Sequence, residues 1–285
     1  MNAETQEGNV MLQFKVDKEK CVKCGSCIDD CPANIIDFLD DYPAIPAEKE
    51  EKCIACQHCF AVCPEGAISI FGLDPTSALQ IAGNMPAPKY VETLIKGRRS
   101  VRRYSTEPID RTTIDGILNV IAHCPTGKNN RQTLFTVVDD ATAMAKVKGE
   151  IIEVLRQLAD QKSLPSGMEF FEGVVKAWDK GRDVIFRGAP HMLIASSPKS
   201  GPTPQADAVI ALTSFDLLAQ SMGIGTVWNG FLHWILTVVS PGVSRRLGIP
   251  DDHIIGYAMV FGKPAVQYHR CVLRGPAKIN RVSRS

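Results

Sequence analysis

Cys21-Val-Lys-Cys24-Gly-Ser-Cys27-Ile-Asp-Asp-Cys31-Pro32 is answered, 32 residues on, by Cys53-Ile-Ala-Cys56-Gln-His-Cys59-Phe-Ala-Val-Cys63-Pro64. Both runs have the spacing C-x2-C-x2-C-x3-C-P, which suits cubane 4Fe-4S clusters. Three thiolates on one curled loop reach three irons of a single cube. The fourth cysteine, set on the helix that follows, points away toward the other cube. One ligand set is then Cys21, Cys24, Cys27 and Cys63, and the other is Cys53, Cys56, Cys59 and Cys31. The prolines turn the chain out of each loop. The repeat extends outward, since Ile35-Ile36-Asp37-Phe38 and Ala67-Ile68-Ser69-Ile70 both read as short strands.

Two other chemistries compete for such cysteines. Zinc sites use four ligands with paired C-x2-C spacing, not two runs of four that end in Cys-Pro. Disulfides are strained at C-x2-C spacing and are reduced inside the cell. Eight of the ten cysteines lie between Cys21 and Cys63, a density that argues for metal. His58 reads as a surface or cluster-flanking residue. Over Gln13 to Phe71 the chain resembles the bacterial two-cluster ferredoxins.

The rest of the 285-residue chain has room for one larger domain. Met1 to Val10 is polar and acidic, unlike a secretory leader, and no lipid-anchor motif is visible. The longest apolar stretch, Ala208 to Met222, is too short to span a bilayer and carries Asp216 and Gln220. A cytoplasmic protein is the expectation. A net charge of +1 points to no nucleic-acid or membrane partner. The charge is unevenly spread: residues 1–72 hold 6 Lys and 13 Asp+Glu, a net of −7, and the remainder nets +8. We read residues 1–72 as a ferredoxin-like domain, 73–90 as a linker holding Pro75, Pro86 and Pro88, and 91–285 as a second domain.

That second domain opens on Arg98-Arg99-Ser100-Val101-Arg102-Arg103. A solvated basic face would look the same, yet arginine forks bind phosphate bidentately and a Ser hydroxyl adds a donor. Ile109 to Ile121 has the apolar spacing of an amphipathic helix with Asp110 as N-cap. Cys124-Pro-Thr-Gly-Lys-Asn-Asn-Arg-Gln132 is a turn dense in small and amide residues. Thr133–Val138, Met192–Ser196 and Ile254–Phe261 read as strands. Ala206–Met222 is apolar nearly all round, which makes it a helix central to the fold, stopped by Gly223.

The order of these motifs resembles the FMN-dependent nitroreductase family, in particular its members with a fused two-cluster ferredoxin. The residues that carry the resemblance are Arg98 to Arg102, Pro125 to Gln132, Gly188-Ala-Pro-His191, Gly223 to Gly230, and Phe261-Gly-Lys-Pro264 with Arg270. It implies an α+β fold, a mixed sheet flanked by helices, and an intertwined homodimer with FMN at the interface. By position, Arg98 and Ser100, with neighbouring Arg99 and later Arg270, would hold the phosphate. Arg102 would lie at the pyrimidine edge. Pro125, Thr126, Gly127 and either Asn129 or Asn130 would reach the flavin of the partner subunit. Gly230 would approach the flavin N5 through its backbone N–H, and neighbouring Asn229 would also bind the cofactor. An extra residue before Gln132, and Thr133-Leu134 in place of the family's Pro-Trp, depart from the pattern. No residue is singled out as catalytic.

Lone Cys124 and Cys271 read as packing residues, as do Trp228 and Trp234. His123, His233, His253 and His269 show no ligand spacing. The expected activity is an oxidoreductase: electrons from a one-electron donor pass through two 4Fe-4S clusters to FMN. They leave to an organic acceptor, whether a nitroaromatic, a quinone or an activated alkene. Ferredoxin and NAD(P)H are the candidate donors. The alternative is an electron-transfer module that serves a partner protein and has no small-molecule substrate.

Overall fold

The computed structural model describes residues 12–283, so the polar stretch Met1–Val10 lies outside the described residues. The chain forms two compact units that divide between Met85 and Pro86.

In the N-terminal unit, β1 (Lys15–Val16) pairs antiparallel with β4 (Ile68–Ser69), and β2 (Asp37–Leu39) with β3 (Tyr42–Ala44). Two short helices, α1 (Ser26–Asp29) and α2 (His58–Val62), follow the two cysteine loops. The sequence repeat is visible in the backbone. Lys23 and Gly25 are left-handed in the first loop, and Ala55 and Gln57 repeat them in the second. Asn34 and Gly66 do the same after each Cys-Pro. Non-glycine residues enter this region at a cost, which marks both loops as shaped for a purpose. The core here is small: Leu12, Ile35, Ile36, Ile68 and Ile70 with Cys27, Cys31 and Cys59. A segment of this size with so few aliphatic residues usually draws stability from metal.

The C-terminal unit begins with α3 (Pro88–Gly97). Proline suits the first helical turn, where its missing N–H costs nothing, so Pro88, Lys89 and Tyr90 are helical rather than linker. Then come α4 (Arg111–Ile121), β5 (Leu134–Val138), α5 (Ala141–Asp160) and α6 (Phe171–Asp179). After these run β6 (His191–Pro198), α7 (Pro204–Ser221), β7 (Gly225–Trp228), α8 (Gly230–Trp234), α9 (Gly242–Arg246) and β8 (His253–Gly262). Asp110 caps α4 as expected, accepting from Thr113 N–H at 2.8 Å.

The sheet has the order β5-β6-β8-β7, with each neighbouring pair antiparallel. A parallel bridge between Ser100 and Thr226 beside β7 makes it mixed. Strand alternation splits the core in two. Met192, Ile194, Ala258 and Val260 face α5, α6 and α8, while Leu193, Ala195, Met259 and Phe261 face α4 and α7. Helices thus cover both faces, and β6 is buried almost throughout. Among the described residues no helix is long and apolar enough to cross a membrane.

α7 lies directly on β8. A Cβ on Gly256 would collide with the Ala208 Cβ. Gly256→Ala should therefore overpack this contact and cost ~1–3 kcal/mol, read as a lower urea midpoint. His191 is fully buried, with Nε2 accepting from Ile109 N–H at 2.8 Å. Burial holds its pKa, and that of His233, below the usual value. A histidine kept neutral in this way stabilises the fold in full above the unfolded value near 6.5, and that stability is lost as pH falls below it. Each should cost up to ~1.4 kcal/mol per pH unit down to its folded pKa. Unfolding midpoints that stay flat from pH 7 to about 5.5 would contradict this.

Candidate functional site

The eight clustered cysteines separate into two groups. Cys21, Cys24, Cys27 and Cys63 line one cavity, together with Val22, Gly25 and Ile68. Cys31, Cys53, Cys56 and Cys59 line another, together with Ile35, Ile54 and Ile70. Each run thus contributes three cysteines to one cavity and its last cysteine to the other. One expectation needs correcting. The helix carries the third cysteine of each run, Cys27 in α1 and Cys59 in α2, whereas Cys31 and Cys63 lie just beyond the helix ends. The helices are too short to hold both, so the chain leaves each helix before Cys-Pro and turns toward the opposite cavity.

None of the eight is in a disulfide. Burial, the largest cause, pushes Cys27 and Cys53 upward and takes the Cys59 thiol to about 12. The Ser26 hydroxyl, 3.3 Å from the Cys24 sulfur, holds Cys24 below its usual value. Ala67 N–H donates to the Cys63 sulfur at 3.2 Å. Thiolates in such apolar cavities need positive charge beside them. Four sulfurs at each of two cavities, drawn from two C-x2-C-x2-C-x3-C-P runs, fit a multi-iron cluster in each. His58 stays at the rim, 3.1 Å from Asp30.

In the C-terminal unit, Arg98 caps the C-terminal end of α3 in extended backbone. Its Nη1 donates to the buried Asp216 at 3.0 Å. The next residues run beside β7: Ser100 bridges Thr226, and Val101 N–H donates to the Thr226 carbonyl at 2.8 Å. A Cβ on Gly225 would meet Val101 at 2.7 Å, so this close approach requires glycine. Arg102 is exposed and reaches back to the Ser100 carbonyl at 3.4 Å. Arg99 and Arg270 donate to no described side chain. Arg270 lines a groove with Thr93, Leu94 and Gly97, which brings the late chain to the end of α3.

The loop from Pro125 is shaped by close backbone packing. Gly127 N–H donates to Asp207 at 3.0 Å, and a Cβ on Gly127 would collide with Thr203 and Pro202. Lys128, Asn129 and Arg131 are all left-handed. Thr126 Oγ1 accepts from Arg131 N–H at 2.9 Å. Asn130 accepts from Gln132 N–H through Oδ1, while its Nδ2 is buried without an acceptor among the described residues.

Asn229 is engaged within the chain. Its Oδ1 caps α8 by accepting from Leu232 N–H, and its Nδ2 donates to the Ile185 carbonyl. Its backbone is engaged as well, the N–H donating to the Ala258 carbonyl at 2.9 Å and the carbonyl accepting from His233 N–H at 3.0 Å. Gly230 begins α8, with the Tyr257 hydroxyl 3.2 Å from where a Cβ would be. Cys124 packs against the α4–α7 core, and Cys271 approaches Gly97. Sequence reading missed Asp207 and Asp216, both acidic residues inside an apolar helix. That anomaly is itself a signal, since a buried carboxylate needs partners.

Arg99 and Arg270, which donate to no described side chain, and the buried Asn130 amide without an acceptor are donors suited to an acceptor-rich anionic ligand. Comparison with known proteins agrees. Residues 95–263 match the model of the Nitroreductase family, and residues 14–70 match that of the 4Fe-4S dicluster domain. An iodotyrosine deiodinase from Thermotoga neapolitana is 28% identical over 144 residues, which is 49% of this chain and 73% of the relative. An FMN-bound nitroreductase from Bacteroides fragilis superposes with a TM-score of 0.54 at 22% identity, over 67% of this chain and 98% of its own. A second, from Desulfitobacterium hafniense and also FMN-bound, gives 0.53 at 21% identity over 70% and 100%. The family match spans more than half of the chain. The chain belongs to the nitroreductase family.

Proposed function

We propose that the chain is an iron–sulfur flavoprotein oxidoreductase. Residues 1–72 carry two 4Fe-4S clusters and residues 91–285 carry FMN, joined by residues 73–90, whose last three already lie in α3. Electrons from a one-electron donor reach an organic acceptor: a nitroaromatic, a quinone or an activated alkene. The observation that carries this reading is the division of eight cysteines between two cavities, on a chain whose remainder belongs to the nitroreductase family. When bound, clusters exchange single electrons and a flavin exchanges one or two, so their union joins one-electron donors to two-electron acceptors.

Each residue then has a task. Cys21, Cys24, Cys27 and Cys63 hold one cluster, and Cys31, Cys53, Cys56 and Cys59 the other. Arg98, Ser100 and Arg270 hold the flavin phosphate, with Arg99 adding positive charge. Arg102 offers a cation to the pyrimidine edge, where the reduced flavin is anionic. Gly230 presents its backbone N–H to N5, and Asn229 fixes Gly230 by capping α8. Pro125, Thr126, Gly127 and Asn130 serve the site of a second copy; the orphaned Asn130 Nδ2 favours it over Asn129.

The homodimer is supported by apolar surface that this chain leaves uncovered. Leu273 is fully exposed, and Ile279 and Val282 are exposed on a tail without regular secondary structure. Ile210 projects from α7. Such residues suit wrapping around a second copy.

Anaerobic turnover tests the reading, with reduced ferredoxin compared against NADH and NADPH. The acceptor panel should hold a nitroaromatic, a quinone, an activated alkene and, because of the deiodinase relative, a halotyrosine. Acceptor reduction driven by reduced ferredoxin is the expected result. A flavin that is reduced yet turns over no acceptor would instead support a module that serves a partner protein.

A further inference from the structure

Asp216 lies inside α7 with its side chain 3% exposed. Three donors from two separate segments meet there. Arg98 Nη1 and Trp228 Nε1 each donate to Oδ2 at 3.0 Å, and Thr226 Oγ1 donates to Oδ1. Arg98 closes α3, 118 residues earlier in the chain. Thr226 and Trp228 belong to β7, which leads directly into Asn229 and Gly230. One carboxylate therefore ties both ends of the proposed flavin site.

A buried ion pair is weak evidence for stability, because apolar residues of similar volume often do as well. What the pair provides here is orientation. A guanidinium is a rigid planar fork with five N–H donors, and fixing one of them on Asp216 sets the plane while leaving the others free. Arg98 is itself one-third exposed, so the free part of the fork faces outward. We propose that Asp216 is a positioning residue of the flavin site, which holds the Arg98 fork toward the flavin phosphate. This rests on the phosphate assignment made above.

Riboflavin, which lacks the phosphate, separates positioning from general stability. The test measures FMN and riboflavin affinity on full-length, flavin-stripped protein that keeps its iron. The wild type should bind FMN more tightly than riboflavin. Asp216→Asn should weaken FMN binding roughly tenfold to a hundredfold, the worth of one hydrogen bond to a charged group, and leave riboflavin affinity within about twofold. Thr226→Val loosens the same carboxylate without touching Arg98. It should lower the FMN-to-riboflavin ratio in the same direction even if Asp216→Asn folds poorly. A wild-type preference for FMN that both variants retain overturns the role of Asp216 alone. Equal weakening of both ligands would also overturn it, since that marks a loss of fold. A wild type with no preference for FMN overturns the phosphate assignment itself.

Discussion

Cys63→Ala is expected to remove the cluster whose other ligands lie in the opposite run, reducing iron from about eight to about four atoms per chain. The reason is spatial: Cys63 shares its cavity with Cys21, Cys24 and Cys27, not with the cysteines beside it in sequence. Pairing variants makes the expectation specific. Cys63→Ala with Cys21→Ala should lose no more iron than Cys63→Ala alone, because both changes strike one site. Cys63→Ala with Cys53→Ala should lose nearly all of it. The reverse pattern would refute the crossed arrangement. Flavin content should hold in every variant, since flavin is assigned to the separate C-terminal unit. The N-terminal unit itself should loosen, because Cys27, Cys31 and Cys59 form much of its small core.

Arg98→Ala carries the second large effect. The substitution leaves the Asp216 carboxylate buried with only Thr226 and Trp228. Removing one partner of a buried pair typically costs ~3–5 kcal/mol. Since Arg98 is 32% exposed, a loss near the lower end is expected, read from urea unfolding of the C-terminal unit. The protein should also purify largely without flavin while keeping its iron. The double variant Arg98→Ala/Asp216→Ala separates these two effects. It removes the stranded charge, so stability should recover in part, but flavin should stay lost because the phosphate still lacks its fork. Flavin regained along with stability would mean that Arg98 serves the fold alone.

The features legible in sequence were those that local chemistry dictates. Cluster ligands must sit on one tight loop, so spacing alone pointed to them, and the exchange of Cys31 and Cys63 followed from the shape of a cube. Asp110 as a cap, and β5, β6 and β8 as apolar runs, were likewise local. Two long-range features left little trace. The Arg98–Asp216 pair spans 118 residues, and neither residue announces the other. The four residues of β7 are too few to show alternation, and the strand exists because β8 and the Arg98–Val101 segment flank it. Helices α5 and α6 were readable but went unread. Met144, Ile151, Ile152 and Leu155 recur at helical spacing behind the Asp140 cap. The resemblance at Asn229 suggested a ligand contact, whereas the local pattern is that of a helix cap.

The most direct test of the account is stoichiometric: iron, acid-labile sulfide, zinc and flavin measured on one anaerobic preparation of the wild-type chain. The account predicts about eight iron and eight sulfide per chain, the content of two 4Fe-4S clusters, with one FMN and no zinc. Zinc in place of iron, half the predicted iron, or FAD or no flavin at all would contradict it.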